Sequence, residues 1–318
     1  MRLLVLGAGG IGGYFGARLA AAGADVTFLV RPRRAAQLAA NGLVVKSALG
    51  DLAVPVKTVT KEAPGSGYGA VLLSCKAYDL DDAIASIAPA ARGTETGPAA
   101  GGALIVPMLN GMAHLDRLDA AFGRDHVAGG VAVIGVTMEA DGTIRHLNRA
   151  QTLIHGARTE AQRPAVAAFQ AAIAPSGIEA RASEHIMLDM WEKWVFLCSI
   201  AAMTCLMRSP VGPIASSPYG EELMLAMREE CTAVATAAGY PPREAHREFT
   251  RKQLTDRASA MAASMMRDMD QGLEVEADQI VGDMLARARK AGHAAPLLAA
   301  AYTHLDVYRR RRAGAKQG

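Results

Sequence analysis

Between Val5 and Arg34 the chain reads VLGAGGIGGYFGARLAAAGADVTFLVRPRR, with five glycines from residue 7 to residue 13. Gly7, Gly9 and Gly12 fit the spacing G-x-G-x-x-G, with Gly10 and Ile11 between the last two. The chemistry of that spacing is anion binding. The first glycine permits a tight turn, and the second lets backbone approach a pyrophosphate. The third lets a helix pack closely on a strand, so that phosphates meet the helix N-terminus, where unpaired N–H groups and the dipole favour negative charge. A glycine-rich turn without a ligand is the alternative. About 20 residues further on, an acid would hold the ribose 2′-hydroxyl of NAD. That place holds Arg31, followed by Pro32, Arg33 and Arg34, while Asp25 lies at the wrong end of the strand. A guanidinium there pairs with the 2′-phosphate of NADPH; a solvated basic turn is the other reading.

Lys193 is the second group with a chemical use. Reduction of a ketone by hydride needs a proton donor for the developing alkoxide. Lys193 heads an uncharged run of 14 residues, Trp194 to Met207, within MWEKWVFLCSIAAMTCLM. An ammonium held against such a surface has its pKa lowered towards that of a useful acid. An i,i+4 ion pair with Asp189 on a helix surface is an equal reading. Cys75, Cys198, Cys205 and Cys231 show no CxxC pair and no Cys/His spacing, so no metal is expected. Three of them sit in apolar surroundings and read as small buried hydrophobes.

The elements that must position these groups follow from periodicity. Leu3–Leu6 is a continuous apolar run, as in a strand buried on both faces. The glycine loop, a helix closing at Gly23 and the β-branched stretch ADVTFLV complete a unit of βαβ size. LVVKSALGDLAVPV predicts a small hairpin, and AVLLSCKAYDL and ALIVPMLNGM predict two buried strands running into loops. The stretch from His126 to Ala157 alternates around an Asp141-Gly142 turn, which predicts an antiparallel extension of the sheet. From about Glu184 the pattern is helical. The chain is therefore expected to be α/β, with a dinucleotide-binding domain over 1–183 and an all-helical domain over 184–318.

Hydrophobic residues make up 51% of the 318 residues and charged residues 20%, a globular composition. The net charge of +3 is spread along the chain, which argues against a nucleic-acid binder. The basic run YRRRRAGAKQG reads as a solvated tail. The Trp194–Met207 run is too short for a bilayer, which needs about 20 residues. No membrane association is expected, and the setting is expected to be cytoplasmic.

Five stretches in order, GAGGIGGYFGARLAAAGADVTFLVR, SCKAYD, LNGM, WEKW and SMMRDMDQGLEVEADQIVG, give the chain a resemblance to the ketopantoate reductase family, the NADPH-dependent 2-dehydropantoate 2-reductases. The resemblance implies a Rossmann-type domain followed by a helical domain, with the active site in the cleft between. Residue by residue it implies that Lys193 is the catalytic acid, Glu276 an active-site glutamate and Ser264 a substrate contact. Asn110 would lie near nicotinamide and substrate, and Lys76 would line the cofactor cleft. Each position also has a plainer reading. Glu274, Glu276 and Asp278 could alternate along a solvated helix, and Met261, Met265 and Met269 beside Ser264 have core-packing spacing. Asn110-Gly111 could be an ordinary turn, and Lys76 a surface residue.

In one respect the chain departs from the family. Members that make pantoate typically carry asparagines four and eight residues after the catalytic lysine; here Leu197 and Ala201 stand there. The expected activity is NADPH-dependent reduction of a 2-oxo acid, ketopantoate first, which would serve pantothenate biosynthesis. The alternatives are a same-fold NADP-dependent enzyme for another keto or hydroxy acid, and a dinucleotide-binding sensor without chemistry. The partner is a small molecule; the oligomeric state stays open, a homodimer among the possibilities.

Overall fold

Four apolar residues with no exposed face, Leu3–Leu6, form β1 at the centre of a parallel sheet. The computed structural model describes residues 1–92 and 102–315. Helix α1 (Gly10–Ala21) leads to β2 (Val26–Leu29), and α2 (Pro32–Asn41) to β3 (Leu43–Lys46) and β4 (Leu52–Val54). Then come β5 (Lys57–Val59), β6 (Ala70–Leu73), α3 (Leu80–Ala91), β7 (Leu104–Pro107) and α4 (Ala113–Phe122). The first sheet runs β5-β2-β1-β6-β7, all parallel, with Leu3 paired to Val26 on one side and to Ala70 on the other. Covered on both faces, such strands read as unbroken apolar runs, which is why the sequence shows them. Helix α1 lies close to β2 because Gly16 has no Cβ; one there would overlap the Phe28 ring.

The hairpin of β8 (Gly129–Met138) and β9 (Ile144–Gly156) is antiparallel around Asp141-Gly142. It does not extend the parallel sheet, as its pattern suggested. The far edge of β9 takes β3 at its start and β10 (Glu179–Ala182) at its end, so a second sheet forms, and an isolated Ile105–Val127 bridge links β7 to the start of this segment. β3 and β4 pair antiparallel as the sequence predicted. The core of this unit includes Leu3, Val5, Phe15, Phe28, Leu43 and Phe169, with α5 (Arg163–Ile173) packed on it.

Two compact units result: Met1–Leu109 with His114–Ile186, and Asn110–Ala113 with Met187–Gly318. The four-residue excursion Asn110–Ala113 thus clusters with helices far along the chain. The second unit contains α6 (Ile186–Met207), α7 (Val211–Ser216), α8 (Gly220–Ala237), α9 (Glu244–Thr255) and α10 (Ser264–Asp270), then α11 (Asp283–Lys290) and α12 (Pro296–Ala315). A π turn, Asp278–Gly282, runs directly into α11. Helix α6 is longer than its uncharged run and apolar enough for a bilayer by composition, but most of it is buried. Trp194, Val195, Cys198, Ala201, Met203 and Cys205 are each at most 1% exposed. The C-terminal basic run is not a solvated tail. It forms the last turns of α12, where Tyr308 and Arg312 donate to the carbonyls of Leu273 and Gly272 and Arg309 pairs with Asp278; residues 316–318 lie outside the described residues.

Candidate active site

In the first unit β1 stops at Leu6 and the backbone turns at Gly7, whose φ of +86° is open to glycine and costly for other residues. A Cβ on Gly12 would overlap both the Gly7 carbonyl and the Ser74 hydroxyl, which donates to the Leu6 carbonyl at 2.9 Å. Gly9 differs: a Cβ there would meet nothing within 4 Å. The space in front of Gly9 is where a pyrophosphate would approach. It abuts the start of α1, which has Gly9 as N-cap, no side-chain cap and no acid in its first turn. Gly10 faces the hairpin, its would-be Cβ 3.1 Å from Val136 Cγ2. Ile11 is half-buried. These residues fit a dinucleotide.

The three arginines separate into different roles. Arg31 is the N-cap of α2, with Pro32 at the first helical position, where its missing N–H costs nothing. Its side chain is 77% exposed and stands 3.6 Å from Asp79. Arg33 is exposed. Arg34 turns inward: Nη2 donates to the carbonyls of Ala8 and Gly142, both at 3.0 Å, and Nη1 donates to Gln37 at 2.7 Å. It ties the glycine loop to the hairpin turn, a role the sequence did not show because the turn is 108 residues away. Lys76 follows the end of β6 and is half-buried as N-cap of the short turn Ala77–Asp79.

In the second unit Lys193 Nζ donates to Asn110 Oδ1 at 3.2 Å, across 83 residues of sequence. Burial pulls the lysine down to about 8, and the carboxylate of Glu276 acts the other way. Asp189 is bonded to Arg243, as is Glu192, while the hydrogen bond of Lys193 goes to the amide of Asn110. Glu274, Glu276 and Asp278 do not alternate along a helix. Glu274 to Glu276 lie in an irregular lead-in to the π turn: Glu276 is 6% exposed, whereas Glu274 and Asp278 are exposed and pair with Arg312 and Arg309. Asn110-Gly111 is more than an ordinary turn. Gly111 has φ +77°, and a Cβ on it would overlap the carbonyl of Gln279. Ser264 opens α10 and is half-buried, with Met265 and Met269 beside it in the core; among the described residues no hydrogen bond joins its hydroxyl to Lys193 or Asn110.

Residues 3–158 match the family described as ketopantoate reductase PanE/ApbA, and residues 185–309 match its C-terminal counterpart. The chain belongs to the ketopantoate reductase family. It is thus an oxidoreductase of a dinucleotide-binding family. It is 33% identical to the uncharacterized oxidoreductase YkpB of Bacillus subtilis over 97% of this chain and 99% of that protein. It is 25% identical to a 2-dehydropantoate 2-reductase of Pyrococcus horikoshii, covering 93% of this chain and 94% of the relative. A structure of D-mandelate dehydrogenase with NADH and anilino(oxo)acetate shares the fold at 16% identity, with a TM-score of 0.85 over 98% of this chain and 99% of that one.

Within this ketopantoate reductase family member the two positions of the missing asparagines differ. Leu197, one turn after Lys193, keeps part of its surface exposed, whereas Ala201 is 0% exposed. An apolar group is therefore presented at one position and sealed at the other. Two residues given no functional role from sequence, Trp194 and Gly111, adjoin Lys193 and Asn110 in the chain. Only the positive φ of Gly111 had a visible signal, the Asn-Gly dipeptide.

Proposed function

We propose that this protein reduces a 2-oxo acid with NADPH, and that ketopantoate is the first substrate to test. The observation that carries the reading is Lys193: a lysine lowered to about 8, hydrogen-bonded to Asn110 and within the field of buried Glu276. At neutral pH a group of that pKa is about nine-tenths protonated, yet it gives up its proton far more readily than an ordinary lysine. Gly7, Gly9, Gly10, Ile11 and Gly12 would hold the pyrophosphate, with Arg31 on the 2′-phosphate and Lys76 lining the site. Bound NADPH supplies the hydride for the keto carbon. Lys193 gives its proton to the carbonyl oxygen as that oxygen gains charge, while Asn110 fixes the ammonium. Glu276 and Ser264 would hold polar groups of the substrate. On this reading the first unit serves the cofactor and the second the substrate, with the reduced nicotinamide pool of the cytoplasm as the source of electrons and pantothenate biosynthesis as the setting if ketopantoate is the substrate.

Leu197 favours a second reading, a 2-oxo acid more apolar than ketopantoate. The decisive experiment is a panel of 2-oxo acids with NADPH and with NADH, followed by loss of nicotinamide absorbance. Turnover with NADPH and any member supports the reading. Tight NADPH binding without turnover across the panel would replace it with a non-catalytic sensor.

A further inference from the structure

The π turn Asp278–Gly282 is gripped at two successive carbonyls by residues adjoining the candidate acid and its partner. Trp194, 1% exposed, donates its indole N–H to the carbonyl of Ile280 at 3.0 Å. Gly111 lies so close to the carbonyl of Gln279 that no side chain fits between them. On its other side Ile280 donates its N–H to the carbonyl of Glu276 at 3.2 Å. Ile280 thus links Glu276 directly to the residue after Lys193, and Gln279 meets the residue after Asn110. A π turn holds one residue more than an α turn and is uncommon unless something maintains it. A buried indole N–H needs an acceptor, and removing it leaves a buried carbonyl without that donor.

We propose that Trp194 and Gly111 are positioning residues, which set the Lys193–Asn110–Glu276 constellation by clamping the π turn between α6 and the Asn110 excursion. The inference rests on the proposed function for its kinetic readout, but its structural content stands apart from any substrate. The charged groups nearby are accounted for. Asp278 points outward to Arg309 and Tyr302, and Arg287 is paired with Asp283 while stacking over Trp191 and Trp194 at 5.6 and 5.4 Å. Asp189 and Glu192 are engaged by Arg243, which leaves Glu276 as the acid acting on Lys193.

Trp191 supplies a matched control. It is 2% exposed, packs against Trp194 with the rings tilted and 5.0 Å apart, and shares Arg287, but among the described residues no hydrogen bond joins its indole to the π turn. Trp194→Phe removes the N–H and keeps a ring. Loss of one such bond corresponds to about a tenfold change. We expect kcat to fall about tenfold with the KM for the 2-oxo acid changed less, NADPH affinity within about twofold, and the basic limb of the pH profile moved upward. Trp191→Phe should leave all of these within about twofold, and Gly111→Ala should reproduce the Trp194→Phe pattern. The second measurement needs no turnover: titration of Lys193 by NMR in protein labelled at lysine Cε, assigned with Lys193→Arg. Its midpoint should rise by about half a unit or more in Trp194→Phe and stay put in Trp191→Phe. If wild-type protein turns over no 2-oxo acid, the titration alone decides the clamp. Equal effects of the two Trp variants on kinetics and titration, tracking a common loss of Tm, would reduce Trp194 to core packing and overturn the proposal.

Discussion

Arg31 Nη2 stands 3.6 Å from Asp79 Oδ1, so the cation proposed to choose between NADPH and NADH is already shared with an acid of its own unit. Both side chains are largely exposed, and an exposed pair of this length contributes little. A 2′-phosphate arriving at Arg31 displaces a weak partner and gains a charge-assisted bond worth roughly 1.5–3 kcal/mol. NADPH is therefore expected to be preferred over NADH by at least about tenfold, and Arg31→Asp to reduce or invert the preference. Asp79→Asn should tighten NADPH binding at low salt, with the gain shrinking as salt screens the acid. Equal kcat/KM for both cofactors in the unmodified protein would remove Arg31 from the selecting role.

Lys193→Ala is expected to lower kcat by about 10²- to 10⁴-fold with the Kd for NADPH little changed. Because the acid form is the one required, kcat/KM should be level below pH 8 and fall above it, following the lysine's value of about 8. The stability linkage has the opposite sign. A lysine lowered from 10.5 to about 8 binds fewer protons folded than unfolded in that window, so its contribution to stability rises with pH between the two values. Lys193→Met should raise Tm at pH 7, and the advantage should narrow towards pH 10. An activity profile that rises through pH 8 would contradict the role as acid.

Arg34 is expected to act on cofactor binding without touching the cofactor, since its guanidinium bonds the Ala8 carbonyl inside the glycine loop. Arg34→Met should weaken NADPH and NADH alike by about tenfold, the equivalent of one or two lost bonds to a charged donor. Gly142→Ala should do the same, because Gly142 has φ +87° and a Cβ there would overlap Arg34 and Gln37. Calorimetric titration distinguishes this from Arg31, where the loss should fall on NADPH alone.

The residues legible in the sequence were those whose physics is local. Leu3–Leu6 showed itself because a strand covered on both faces must be apolar throughout, and Gly7 to Gly12 because backbone turning needs glycine in fixed order. The hairpin of β8 and β9 was readable too, but not the sheet it joins, since that depends on which strands take the far edge of β9. Glu276 was read on a helix because three acids at every second position carry no mark of the irregular segment that precedes the π turn. The π turn after it, and the indole bond that meets it, leave no periodic trace. Lys193 is the clearest case: its spacing from Asp189 suited an ion pair, and its bond to Asn110, 83 residues away, left no trace in the sequence.

Substrate choice should turn on Leu197. A site that hydrogen-bonds a substrate hydroxyl discriminates against analogues lacking it, and an apolar wall at that place forfeits the discrimination. Leu197 retains exposed surface one turn from Lys193, so on the proposed reading the missing amide is replaced by hydrocarbon facing the substrate. Each lost bond costs about 0.5–1.5 kcal/mol when the freed group can still find water. Ketopantoate reduction should accordingly show a KM raised by about tenfold over a member with both asparagines, or give way to a more apolar 2-oxo acid. Leu197→Asn alone should improve kcat/KM for ketopantoate relative to that competitor. Ala201 is another matter, because at 0% exposure an asparagine there must force extra volume and a polar group into a closed site. Ala201→Asn is expected to lower Tm, and the double variant to outperform Leu197→Asn only if the helix can move to admit it. Efficient ketopantoate turnover by the unmodified protein, with no gain from Leu197→Asn, would show that the contacts to the substrate's hydroxyl come from elsewhere in the second unit.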